Sequence, residues 1–121
     1  MPSQVSINQS PSIDQSITES LQALGDLSDI LCNKHIAIKP NDTWASVKDT
    51  TACTQPESLR ATIQYLNGFA PASITVMGGS GADTTSAVFR YTGLDRVVSE
   101  EKASFLDLNQ EPYAAVPHVS G

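Results

Sequence analysis

The feature that most constrains this chain is one continuous passage, Ser73-Ile74-Thr75-Val76-Met77 running into Gly78-Gly79-Ser80-Gly81 and then into a new apolar stripe at Ala87, Val88 and Tyr91. A β-prone apolar run bounded by glycines reads as a buried strand, and the stripe beyond it has helical spacing. Strand, glycine loop and helix in that order form half of a parallel crossover unit. A similar unit precedes it. His35-Ile36-Ala37-Ile38 stops at the turn signal Lys39-Pro40-Asn41, which places a strand over about 34 to 39. Thr54-Gln55-Pro56-Glu57 then supplies a Thr N-cap, a proline in the first turn and an early glutamate. Leu59, Ile63, Leu66 and Ala70 carry that helix forward, with Asn67-Gly68 as its stop and Pro71 beyond.

Further along, Gly93 ends the helix after the glycine loop, Asp95 to Lys102 reads as a turn, and Ala103 to Asp107 as a third strand. Near the N-terminus, Ile13, Ile17, Leu21 and Leu24 share one helical face behind the capping pair Ser12 and Gln15, so a helix is expected over about 13 to 24 with Gly25 as its stop. Gln4 to Asn8 alternates as a short edge strand would. The expected fold is α/β, a Rossmann-like three-layer α/β/α arrangement on a small, mostly parallel sheet of three to four strands. With 121 residues one domain is expected, with extended or flexible ends expected at 1–10 and 110–121.

Composition narrows the function classes. Lys and Arg total 7 against 13 Asp and Glu, a formal net charge of −6, which disfavours nucleic acid as a partner. No stretch is long and apolar enough to span a membrane, and the N-terminus lacks a signal peptide's basic start and apolar run. Two separated cysteines, Cys32 and Cys53, suit a reducing compartment, so a cytoplasmic location is expected. Cys32 and His35 have the spacing of a metal pair, with Cys53 and His118 as completions, but a structural zinc site wants tighter local pairs, and no metal or cofactor is expected.

Ligands of open parallel sheets bind at the carboxyl ends of the strands, here Lys39 to Asn41, Gly78 to Thr85, and Asp107 to Asn109. The glycine loop meets a helix N-terminus, whose free N–H groups favour an anion, and Lys39 adds positive charge. The candidate ligand-binding residues are therefore Lys39, Asn41, Gly79, Ser80, Gly81 and Thr84, with a small anionic ligand. The plain alternative is a loop whose glycines supply positive φ. No nucleophile elbow surrounds Ser80, Asp107 and Glu111 are candidate acid and base, and Trp44 is a packing residue or a ligand platform. No catalytic constellation assembles. Three function classes follow: a small-ligand-binding domain in which Lys39→Ala weakens binding and spares stability, an interaction module completed by self-association or a redox partner, and, ranked last, a free-standing enzyme.

Several segments together resemble the domain of unknown function family 362. They are Ile36-Ala37-Ile38-Lys39-Pro40-Asn41, Thr54-Gln55-Pro56-Glu57 with Arg60-Ala61, Gly79-Ser80-Gly81, Tyr91-Thr92-Gly93-Leu94 and Leu106-Asp107-Leu108-Asn109. Asp42 replaces a usual apolar residue, and Cys53 replaces a common Thr. Members of that family are typically longer and often carry ferredoxin-type iron–sulfur modules. This chain stops before the family's later Lys- and His-containing segment and has no cluster-binding cysteine module. The resemblance implies the α/β fold and the loop edge, and it implies no reaction.

Overall fold

A computed structural model describes residues 2–110, 112–115 and 117. Helix α1 (Ile13–Gln22) and the short α2 (Ser28–Leu31) precede strand β1 (His35–Ile38). Helix α3 (Pro56–Asn67) leads to β2 (Ser73–Gly78), and α4 (Thr85–Thr92) and α5 (Leu94–Glu100) lead to β3 (Ser104–Asp107). The strands form an all-parallel, three-stranded sheet in the order β1-β2-β3, a small Rossmann-like α/β fold. Register pairs Ile38 with Val76, Val76 with Phe105, and Gly78 with Asp107.

Strand order dictates where the helices go. Both crossovers advance in the same direction, and right-handed connections then put both on one face of the sheet. The core agrees. Ile74 and Val76 of β2 are buried together with Leu59 and Ile63 of α3, Phe89 of α4, and Leu94, Val97 and Val98 of α5, flanked by Ile36 and Ile38. On the opposite face His35 and Ala37 are exposed, and Ser73, Thr75 and Met77 are half-buried. Helix α1 packs against α3 and contributes no fully buried residue.

The capping chemistry explains several boundaries. Ser12 caps α1 by accepting from the Gln15 N–H, and Gly25 beyond it has φ +91°. Thr84 caps α4 by accepting from the Ala87 N–H at 3.2 Å. Gly93, at φ +78°, ends α4 and opens α5 in one residue, a conformation that only glycine takes without strain.

Four expectations are corrected. Gln4 to Asn8 forms no strand: Val5 and Ile7 are 84% and 93% exposed, and Asn8 and Ser10 bond to Glu19 of α1. The turn expected over Asp95 to Lys102 is mostly helix, because Leu94, Val97 and Val98 fall at helical spacing and are all buried. Gln55 is the N-cap residue of α3, since the Thr54 hydroxyl instead accepts from the Asn41 N–H at 2.8 Å. Gly68 is right-handed at the end of α3; the left-handed residue is Ala70, at φ +50°, whose carbonyl is fixed by the Asn33 N–H.

Across the outer surface, Arg60 of α3 bonds both Glu100 and Glu101, and Arg96 bonds Glu100. The bonds from Arg96 and then Arg60 hold the Glu100 carboxyl below the ordinary glutamate range. A carboxyl with a lowered folded pKa stabilises above its unfolded value and loses that contribution as pH falls through the folded one. Glu100→Gln should therefore flatten the acid limb of a stability-versus-pH curve and leave the neutral limb's shape unchanged, as read by urea unfolding.

Gly78 is glycine for space. A Cβ there would meet the Thr85 methyl group and lie 2.7 Å from Phe89 Cε1 and 2.9 Å from Asp42 Oδ2. Gly81 faces nothing nearer than the Thr43 carbonyl at 3.8 Å. Gly78→Ala should cost about 1–3 kcal/mol through overpacking, whereas Gly81→Ala should stay within about 0.5 kcal/mol. Thermal unfolding of the two variants checks the contrast.

Candidate functional site

Because all strands are parallel, their carboxyl ends share one edge, and Lys39 to Asn41, Gly78 to Thr85, and Asp107 to Asn109 meet there. The residue that joins them is Asp42, whose side chain is 2% exposed. Its Oδ1 accepts from Lys39 Nζ at 2.6 Å. Its Oδ2 accepts from the Gly79 N–H at 2.7 Å and from the Ser80 hydroxyl at 3.1 Å. One carboxylate thus ties the end of β1 to the loop after β2.

A second set of bonds fastens that loop from β3. Asn109 Nδ2 donates to the Ser80 carbonyl at 2.8 Å, and the Leu108 N–H donates to the Gly78 carbonyl at 2.8 Å. The buried Thr85 hydroxyl accepts from the Ser80 N–H, and the Gly81 N–H reaches the Thr43 carbonyl. Asp107 is buried at the end of β3 and accepts from the Asn109 N–H at 3.0 Å. Asp83 accepts from the Thr84 N–H at 2.7 Å, so it already places negative charge at the start of α4.

Between these walls lies an open cleft of about 350 Å³, lined by Ser80 to Thr85, Asp107, Asn109 and Gln110. Of the six residues expected at a ligand site, Ser80, Gly81 and Thr84 line it. Gly79 sits behind them, bonded to Asp42. Asn41 donates to the Ala52 carbonyl and shapes the loop before α3. Lys39, 48% exposed, gives its ammonium to Asp42 and to the Pro40 carbonyl, so its charge is neutralised locally. The expectation that Lys39→Ala spares stability is corrected by this pairing, since the variant leaves a buried carboxylate without its counter-charge.

Positive φ is not what the loop glycines supply: Gly25 and Gly93 are the left-handed glycines among the described residues. Nor does crowding require them at 79 and 81, where an added Cβ finds only ordinary contacts. The Ser80 hydroxyl is buried as a donor to Asp42, which is a structural role. Cys53 is buried with Ala45 and Val88 and donates its thiol to the Trp44 carbonyl, while Cys32 is exposed and His35 Nδ1 lies 2.8 Å from the Ser73 hydroxyl. Among the described residues no group of three or more His, Cys, Asp or Glu is placed to hold a metal ion. Trp44 is 41% exposed, more open than a packing residue. Glu111 and His118 lie outside the described residues.

The residue that sequence reasoning missed is Asp42. Two signals could have found it: Lys39 stands three positions earlier, and a glycine loop at the neighbouring strand end leaves N–H groups in need of an acceptor. Asp42→Ala strands the Gly79 N–H and the Ser80 hydroxyl and should cost about 3 kcal/mol, against about 1–2 kcal/mol for Lys39→Ala, whose ammonium is half in water. Combining Lys39→Ala with Asp42→Asn should cost less than the sum of the two single changes in urea unfolding, because the buried charge disappears with its partner.

No helix among the described residues is long and apolar enough to cross a membrane. Comparison with curated proteins and with solved structures gave no match. Residues 36–121, from the first strand through the carboxyl-edge loops, match the family described as Domain of unknown function (DUF362), and the chain belongs to that family.

Proposed function

We propose that this chain is a small-ligand-binding α/β domain whose site is the cleft at the carboxyl ends of β2 and β3. The observation that carries the reading is the glycine loop itself. Gly81, which lines the cleft, donates its N–H to the Thr43 carbonyl, yet neither φ nor crowding among the described residues demands glycine there. Close approach of a bound molecule to the backbone is the remaining physical use of a glycine in such a loop.

The lining sets the ligand's chemistry. Asp83 and Asp107 contribute two carboxylates, and no cationic side chain is among the lining residues. Such a cleft favours a small molecule that presents hydrogen-bond donors, hydroxyl or ammonium groups, with an anionic group tolerated only at the N–H groups of α4's first turn. A second reading, a module that associates with another subunit, is favoured by the unpaired edge of β3.

Binding raises the melting temperature by mass action. Myo-inositol and putrescine should stabilise the chain more than inorganic phosphate does, and Asp107→Asn should abolish the gain. An equal gain in Asp107→Asn, or none for any of the three compounds in the unaltered chain, would remove this cleft as the site.

A further inference from the structure

We propose that the outer edge of β3, with the groove beside it, is a two-fold interface at which a second copy of this chain docks. The sheet has two edges, and they are built differently. Exposed lysines precede both edge strands, Lys34 before β1 and Lys102 before β3, so the lysines do not tell the two edges apart. β3 ends the sheet on one side and has Phe105 at its centre, 41% exposed although it lies on the core face beside Phe89, with ring centroids 4.8 Å apart. The β3 edge is thus the one that leaves part of a core aromatic uncovered.

Beside Phe105 runs a groove of about 210 Å³ formed with α4 and α5, floored by Phe89 and Val98 and flanked by Ser86, Arg90 and Asp95. Arg60 and Arg96 are both engaged in ion pairs. Among the described residues Arg90 has no carboxylate partner, and Asp95 bonds only the Arg96 N–H. A groove that carries one unpaired charge of each sign suits a partner carrying the same two charges in opposite order.

A two-fold axis supplies that partner. In an isologous contact, residue i meets j and j meets i, so Arg90 faces the second copy's Asp95 and Asp95 faces its Arg90. An axis normal to the sheet also pairs β3 antiparallel with its copy, satisfying the free N–H and C=O groups of the edge. The same rotation keeps both helix layers on one side of the joined sheet. Groove then meets groove, and the two Phe105 rings cover each other.

The reciprocity makes the test specific. The full chain should sediment as a dimer at about tens of micromolar, a concentration at which many specific homodimers are populated. Arg90→Asp and Asp95→Arg change exposed side chains, so each should keep the parent's circular dichroism and melting cooperativity. Each should weaken dimerisation about tenfold or more through like-charge contact across the axis. An equimolar mixture of the two single variants should form a heterodimer, because one copy then presents two acids and the other two arginines. A chain that stays monomeric at all concentrations overturns the proposal and leaves the groove to a different partner. Single variants that dimerise as the parent does, or a mixture that fails to associate, overturn it as well.

Discussion

The Asp42 carboxylate is the interaction on which the carboxyl edge depends. It stands at the end of β1 and accepts from Lys39, Gly79 and Ser80, so one buried charge sets the distance between the first strand's end and the loop after the second. A carboxylate can be buried only where donors replace water, and here a salt bridge, a backbone N–H and a hydroxyl do so. The arrangement has a direction. Lys39, half in solvent, screens the charge from outside, while the two neutral donors hold it from within.

From that anchor the rest of the edge follows. Gly78 must be glycine because Asp42, Thr85 and Phe89 converge on its Cα, which couples the polar frame to the apolar core through one missing methyl group. Asn109 and Leu108 close the loop from β3, so the cleft is framed by residues from β2, α4 and the segment after β3, with Asp42 bracing the loop from the first strand's side. The loop is thus braced on both flanks by hydrogen bonds within the chain.

The sheet's own order explains the asymmetry of the molecule. Strands in the sequence β1-β2-β3 send both crossovers to one face, so the apolar core lies there and the opposite face, with His35, Ala37, Ser73, Thr75, Met77 and Leu106, has no fully buried strand residue among these. Two edges remain, one at β1 and one at β3, and the second carries the part-exposed Phe105. With three strands, the share of the core that lies next to an edge is large, and Phe105 is where that shows.

The sequence by itself determined the alternation of strands and helices, the parallel sheet, the loop edge and the family, because periodicity, glycine punctuation and capping residues are local signals. It also picked out Gly93, the left-handed C-cap of α4, and Gly25, which takes a positive φ shortly beyond α1. What only tertiary structure decided is the partner of each polar group. Thr54 reads as a cap and instead serves Asn41; Lys39 reads as a free cation and instead neutralises Asp42; Asp95 to Lys102 reads as a turn and is mostly helix because its apolar residues reach a core laid down by distant segments. Hydrogen bonds such as Asp42 to Gly79 join residues 37 positions apart, and short-range patterning carries no record of which donor a buried acceptor will meet.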